Sequence, residues 1–410
     1  MTDRMLLTAH DDSGPRGNLG GHLVREGGMT TARRRILCVS FSDISADSRV
    51  LRQLDVLAGL GEVTTLGYGD KPAAATEHLS IDAALPSLPQ VFPGVGLLAL
   101  RRHDAVELRA PAVRSALRLV GARRFDLVVA NEARAMAVAH RIAQGAPVLA
   151  DMHEWAPEER THVRSWRLLV KPFMAHQCEK YLPRMAGVTV VNDSIGAMYE
   201  TQFGVRTHTV RNASEFRELT PSEVTPGRIR LVHSGGAVPG RNIEALVEAV
   251  RMLDERFTLD LYLVPARDGG RYLDGLRALV AGEPRVTLHP PVPTTELVDT
   301  LNAYDVGIYS LPRLTPNHWL MLPNKMFDFV QARLGVVFAS APETDRLITE
   351  HDLGAIAPDT TARALRDTLA TLTEERVRAI KQNADRAAKE LSSIEDSATT
   401  REVARDLLAR

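Results

Sequence analysis

Cysteine is nearly missing from this chain: two occur in 410 residues, Cys38 in an apolar run and Cys178 in a helical pattern. Their spacing fits neither a disulfide framework nor a metal site, which suits a reducing cytoplasm and two small core side chains. Histidines are scattered without ligand spacing, so zinc chemistry finds no support. No apolar run approaches the ~18 residues that a membrane-spanning helix needs, and the first residues lack the continuous apolar centre of a secretory signal. Nothing in the sequence is expected to cross a membrane unaided, while peripheral attachment stays open. Neither sign of charge dominates: 50 Lys and Arg face 51 Asp and Glu, a net charge of -1. That argues against nucleic acid held by bulk electrostatics, though a local basic patch remains compatible. Two chemical signatures are also missing. No Asp-x-Asp pair of the kind that holds Mg²⁺ against a diphosphate stands at a strand end. No Gly-x-Ser-x-Gly elbow marks a serine hydrolase.

What is present is ordinary globular material, 44% hydrophobic and 25% charged, in a chain too long for one core and suited to two domains. Residues 1–32 show neither helical nor strand period and read as a disordered leader, with Met29 a candidate start. From residue 33 short apolar runs alternate with amphipathic stretches. Strands are expected at 36–41, 63–68, 126–131, 147–152, 187–192 and 207–212, with helices at 47–60, 133–143, 164–184 and 193–203. A polar stretch with two prolines at 213–227 reads as a connection. The alternation then resumes, with strands at 229–234, 258–264, 286–290, 306–311 and 335–340, and helices between them and at 361–372, 374–391 and 397–408. Alternating strands and helices predict an α/β fold with two doubly wound parallel sheets. The expected division is 33–213, a linker at 214–227, 228–390, and a last helix at 391–410 that is free to pack back on the first domain. Ligands of open parallel sheets bind beyond the strands' C-terminal ends, so the cleft between the domains is the expected site.

The most informative stretch is Leu322-Pro323-Asn324-Lys325-Met326-Phe327-Asp328. Pro323 suits a first helical turn and Asn324 its cap, so Lys325 and the unpaired amides of that turn point at one spot suited to a phosphate. Asp328, three residues on, leaves the same face and can accept hydroxyl protons. Strand 229–234 runs into Gly235, Gly236 and then Arg241 at a helix start, where glycine backbone and a guanidinium fit an anion. A variant dinucleotide fingerprint and a plain turn are the competing readings of that loop. Strand 147–152 ends in Asp151-Met152-His153-Glu154, which puts His153 and Glu154 at the cleft. His153 reads either as a donor to a sugar hydroxyl or acceptor oxygen, or as hydrogen-bonded structure; Glu154 reads as its orienting partner or as a cap. The first strand ends near Asp43 and is followed by Arg49, which suits either an anion in the cleft or a local pair with Asp47. Trp166, Leu169 and Phe173 form a stripe with arginines and lysines nearby, compatible with an anionic lipid surface but more ordinary as a face packed on its own sheet.

Taken in order, these residues resemble the retaining GT-B glycosyltransferases often grouped as family four. The resemblance runs over about residues 33 to 390. It is carried by Asp47-x-Arg49-Val50-Leu51, the Asp126–Asn131 strand, Asp151-x-His153-Glu154, Val190-Val191-Asn192, Val210-Arg211-Asn212, Arg241-Asn242, Ala303–Ile308 and Leu322–Asp328. It implies two Rossmann-like domains, the first binding an acceptor and the second a nucleotide-sugar donor. It further implies that Arg241 and Lys325 stabilise the departing diphosphate, that Asp328 holds the ribose, and that His153 lies near the donor sugar. Retention of configuration and activity without a metal or other cofactor also come from the resemblance. The chain differs from the family at Leu320, where an acid usually contacts the sugar, around Gly236, where a basic residue often follows, and near Asp43, where paired glycines are usual. The expected protein is thus a cytoplasmic hexosyltransferase-like enzyme, metal-independent, using a nucleotide-diphosphate sugar as substrate. Its acceptor would be a hydroxyl on a glycan, a lipid-linked glycan or a small molecule, with peripheral contact at the inner face of the membrane left open. A nucleotide-sugar epimerase, a catalytically weak donor-binding subunit and a nicotinamide dehydrogenase are the competing readings.

Overall fold

Strand β1 (Arg35–Asp43) is buried along nearly all its length, as its continuous apolar run requires. Around it in a computed structural model stand β2 (Glu62–Tyr68), β3 (Glu77–Ser80), β4 (Leu127–Asn131), β5 (Val148–Met152), β6 (Gly187–Val190) and β7 (His208–Thr209). They form one sheet in the order β3-β2-β1-β4-β5-β6-β7, every neighbouring pair parallel. A second sheet holds β8 (Ile229–Ala237), β9 (Phe257–Pro265), β10 (Val286–His289), β11 (Val306–Tyr309), β12 (Gly335–Ala339) and β13 (Gly354–Ala357), in the order β10-β9-β8-β11-β12-β13. Its pairs are parallel too. The α/β class with two doubly wound sheets is therefore the fold observed. The structure describes residues 33–266 and 268–410; the expected leader and Met29 lie outside the described residues.

Both sheets are covered on two faces, which explains why β4, β5 and β12 are buried at every position and are apolar almost throughout rather than alternating; the polar exceptions, Asn131 and Asp151, stand near the strand ends that face the cleft. In each sheet the strand order reverses beside the first strand, between β1 and β4 and between β8 and β11. A crevice opens at each reversal because the connections leave in opposite directions there.

Local signals set several of the helix ends. Asp47 caps the helix Ser48–Ala58 by accepting from the Val50 amide. The helix Asp193–Phe203 is capped by Asn192 and closed by Gly204 in the left-handed region, so Asp193 is its first-turn acid and not its cap. Where the sequence pattern suggests one helix over 164–184, the chain instead makes a wide turn at Trp166–Val170 and a helix at Lys171–Tyr181. Pro172 suits a helical first turn, which places the start there. The lipid-facing reading of that stripe is corrected: Trp166 and Phe173 are buried and pack, with Leu169, in the core of the first sheet.

The last helix, Ser393–Leu408, starts at a Ser392 cap and lies against the first sheet. Val403, Ala404 and Leu407 join Ile36, Cys38 and Leu54 in one apolar cluster, and Asp396 accepts from the Arg211 amide at 2.6 Å. Among the described residues no helix is long and apolar enough to cross a membrane.

Candidate functional site

Strand β8 delivers the first group of the site. At its end Gly235 has φ 141°, and a Cβ there would lie 2.6 Å from Lys325 Nζ. Only glycine serves both demands, because L side chains avoid that backbone and the amine occupies the space. Lys325 comes from the helix Asn324–Gln331, and its Nζ also lies 5.2 Å from the centre of the Tyr309 ring. Arg241 is exposed in the turn beyond Gly236. The next residue, Asn242, is held in a left-handed conformation (φ 60°) by donating to Ser310 Oγ at 2.9 Å and Thr360 O at 2.8 Å. The loop that carries Arg241 is therefore tied to the sheet.

This side of the cleft is short of negative charge. Burial, then the nearby Arg241, lowers Lys325 to about 8, with Asp328 pulling the other way. The carboxylate of Asp328 is engaged by the Ser214 hydroxyl, and burial raises its pKa despite that bond and the charges of Lys325 and Arg52. His233, beneath the two cations, donates from Nδ1 to Ile308 O at 3.0 Å. Burial, then Lys325, pushes it down to about 3, so it stays neutral. Asn324 is corrected as a cap: Pro323 occupies that position with an extended backbone, and no side chain caps the helix. Asn324 is its exposed first residue, which leaves first-turn amides open toward the cleft.

The first domain presents a different chemistry. Asp151, at the end of β5, accepts from Arg49 Nε at 2.9 Å and Nη2 at 2.6 Å, from Gln53 Nε2 at 3.1 Å and from Thr189 Oγ1 at 2.6 Å. The remaining guanidinium nitrogen of Arg49 donates to Val210 O and Asn212 Oδ1. Both readings of Arg49 are thereby corrected. Its guanidinium is buried and fully engaged within the domain, so it neither meets an anion in the cleft nor pairs with Asp47.

His153 stands next in the same network. Its Nε2 is 3.2 Å from both Asp151 Oδ2 and Asn131 Oδ1, and its Nδ1 is 3.2 Å from Glu132 Oε1. Burial opposes charge on the ring, but hydrogen bonds to Asp151 and Glu132 outweigh it and raise His153 to about 9. The ring is an imidazolium clamped between two carboxylates. In this arrangement neither N–H is free to donate to a sugar or acceptor oxygen, so what His153 offers the cleft is a positive charge and a fixed Glu132. Glu132 itself has φ 72° and ψ 155°, a strained backbone for a residue with a side chain, of the kind that gathers at binding sites.

Glu154 is solvent-accessible but enclosed by the cleft walls. Burial in those walls, then the charges of Glu132 and Glu159, raise its carboxyl to about 8. Glu159 is raised to about 7, by burial and then Glu132. Asp43 is exposed at the end of β1, accepts from Ser45 Oγ at 2.7 Å, and leans over Gly69 at the end of β2. It therefore turns away from the crevice between β1 and β4, and the structure does not bring it to the other candidates.

The two sides meet through a few contacts. Asn317 accepts from the Trp155 amide at 2.6 Å and donates to Trp155 O at 3.1 Å. Asn192 Nδ2 donates to Leu320 O at 2.7 Å, and the Leu320 side chain packs against the core of the first sheet. The Ser194 amide donates to Glu343 at 3.0 Å. Toward the linker, a pocket of about 370 Å³ is lined by Ser48, Arg52, Ser214, Arg217, Asn324 and Asp328 among others. Arg52 Nη2 is buried there without a hydrogen-bond partner, an unusual state for a guanidinium.

Glu132, Arg52, Asn317 and Ser214 are among the residues of the site that the sequence does not single out. Glu132 follows a strand end just as Glu154 does, so the signal was available. Arg52 lies one helical turn beyond Arg49, but which of the two arginines is buried in the domain and which reaches the pocket depends on β5. Asn317 and Ser214 acquire meaning only from the opposite domain. A group of metal-type ligands among the described residues, Asp104, Glu107 and His176, lies outside the cleft, and Lys180 already holds both carboxylates, at 2.7 and 2.9 Å.

No protein-family model matches this chain, and no curated protein matches it by sequence. Solved structures do match. Sucrose-phosphate synthase from Thermosynechococcus elongatus superposes with a TM-score of 0.68 at 15% identity, over 92% of this chain and 100% of that one. Anabaena HepE, in a complex with UDP and glucose, gives 0.63 at 14% identity over 92% and 100%. A glycosyltransferase from Rickettsia africae gives 0.65 at 12% identity over 92% and 99%. At such identities the likeness is one of architecture, and with the two parallel sheets it establishes the GT-B fold: two Rossmann-like domains facing across a cleft.

Proposed function

We propose that this protein is a glycosyltransferase that moves a sugar from a nucleoside diphosphate donor to a hydroxyl acceptor, with retention of configuration. The observation that carries this reading is the pairing of two cations, Lys325 and Arg241, with open glycine backbone at the β8–β11 crevice. A diphosphate placed there meets Lys325, Arg241, the amides beyond Gly235 and the first turn of the helix Asn324–Gln331. Asp328 can exchange Ser214 for the hydroxyls of a ribose. As the bond from the sugar C1 to the phosphate oxygen breaks, negative charge grows on the diphosphate, where these groups already point. The acceptor oxygen then bonds to C1, and its proton leaves on the departing phosphate, so no protein nucleophile is needed. Two cations fixed in the fold can carry the charge that a divalent ion carries elsewhere, which makes metal-independent transfer part of the proposal. Glu132, Glu154 and the imidazolium of His153 form the opposing wall, where the sugar and the acceptor hydroxyl would lie. HepE, of the same architecture, is held in its crystal with UDP and glucose, which supports a uridine donor as the first to try.

Titration calorimetry with UDP, GDP and ADP, followed by transfer assays with the matching sugars, tests this. Micromolar to millimolar binding of at least one diphosphate is expected. If none of them binds, the reading fails. A second reading, a donor-binding subunit with weak catalysis, is favoured by Leu320, whose side chain packs on the first domain instead of offering an acid to a sugar. Tight diphosphate binding without turnover on any acceptor would select it.

A further inference from the structure

The largest exposed apolar side chains of the first domain lie on and beside the helix Gly94–Ala99, next to the turn that buries Trp166. Phe92 is 92% exposed, Leu100 73% and Leu168 54%, with Val91 and Val95 also open. Val91 and Val95 stand one helical turn apart at the start of the helix Gly94–Ala99, and Leu100 directly follows its end. Leu168 is brought alongside because that helix packs on the turn Trp166–Val170, and Arg101 donates to Leu168 O at 3.0 Å. Beside Phe92 a groove of about 480 Å³ has Arg109 and Arg114 among its lining. A cluster of open aliphatic side chains round one phenylalanine is not normal solvent-facing surface.

We propose that this surface docks the protein on a bilayer rich in anionic lipid. The charge around it selects the occupant. Between Arg101 and Arg124 the chain carries seven arginines and two acids, although its net charge is only -1. Both acids, Asp104 and Glu107, are paired with Lys180. Arg123 is paired with Glu77, but Arg109 and Arg114 line the groove beside Phe92 and Arg101 lies beside Leu168, so what faces outward is apolar side chains with arginines next to them, the combination that inserts into lipid while holding anionic headgroups. A second copy of this chain would set the same arginines against themselves. A nucleic acid would satisfy the arginines but leave Val91, Val95, Leu100 and Leu168 without a partner. The proposal does not rest on the glycosyl-transfer reading; if both hold, the acceptor is to be sought among lipid-linked hydroxyls.

Flotation of the full chain with phosphatidylcholine vesicles, and with vesicles half phosphatidylglycerol, tests it. Binding is expected to the second kind only, and to weaken as salt is raised. Phe92→Ser with Leu100→Ser should abolish it. Arg102→Glu with Arg114→Glu should lower it by roughly tenfold or more, since each arginine near an anionic surface contributes about fivefold. All four positions are exposed, so the variants should keep the parent melting temperature and its nucleoside diphosphate affinity, which separates this test from that of the proposed reaction. Failure of the parent to float with anionic vesicles, or unchanged flotation of both double variants, overturns the proposal. So does a concentration-dependent dimer that Phe92→Ser disperses.

Discussion

The two walls of the cleft are built from similar residues put to opposite uses. On the first-domain wall Arg49, Asp151, His153 and Glu132 satisfy one another, nearly every polar atom accounted for by a partner at 2.6 to 3.2 Å. On the second-domain wall Lys325 and Arg241 stand together, and the nearest acid, Asp328, is turned to Ser214. A satisfied network stabilises a shape, whereas an unsatisfied one stores affinity for whatever completes it. The difference teaches where to look for a ligand: beside the charges that the fold leaves unpaired.

The largest effect should come from breaking the satisfied wall. Arg49→Ala leaves the buried Asp151 carboxylate without its bidentate partner, and removal of one member of a buried pair typically costs about 3–5 kcal/mol. A fall of many degrees in melting temperature, or insoluble protein, is the expected result. A melting temperature close to the parent's would show that the network is dispensable and that the contrast between the walls is overstated.

The unsatisfied wall should respond in the opposite sense. Lys325→Met removes a half-buried amine whose charge is disfavoured where it lies, so stability should hold or rise. Loss of a charge-assisted contact is worth roughly 1.5–3 kcal/mol, tenfold or more in diphosphate affinity. Arg241→Ala should cost similar affinity and leave stability unchanged, since its side chain is exposed. If both variants bind nucleoside diphosphates like the parent, the donor site lies elsewhere.

Much of this contrast was readable in the chain before folding. Strands β4, β5, β8 and β12 announce themselves because burial on both faces leaves mostly apolar residues, interrupted by Asn131, Asp151 and His233 near the strand ends that meet the cleft, and Lys325, Asp328 and Gly235 because helix starts and glycine turns have local causes. What was not readable is everything decided by the partner across a distance in sequence. Whether Arg49 would meet Asp47, an anion or Asp151 depends on the register of β5. Strand β3 has a single buried position in four, too little pattern to mark an edge strand. Of the two readings open to the Trp166 stripe, packing on its own sheet is the one the fold takes, while the exposure of Phe92 has no signal in the sequence. Hydrophobicity alone does not say which side of a helix another element will cover.

The smallest effect, and the one that sets the walls against each other most directly, is the pH dependence of stability. His153 is raised from 6.5 to about 9. Between those values the folded state holds the proton and the unfolded state does not, so its contribution is complete below about 6.5 and is lost as pH rises through about 9. Glu154, raised from 4.5 to about 8, acts in the same direction, because ionising it in the enclosed cleft is unfavourable and the folded state again holds the extra proton. Lys325 is lowered from 10.5 to about 8, so above about 8 the unfolded state holds the extra proton and stability rises with pH. The first wall should therefore lower the melting temperature from about pH 5 to 8, the two walls should oppose each other between about 8 and 9, and the second should restore part of the loss above 9. Melting curves across that range would show a shallow minimum. Lys325→Met should remove the recovery at high pH and leave the decline, while His153→Gln should flatten the decline between 6.5 and 9 and leave the recovery. A decline that persists undiminished in His153→Gln would mean that the imidazole is not held charged between Asp151 and Glu132, and the first wall would then have to be redrawn as neutral.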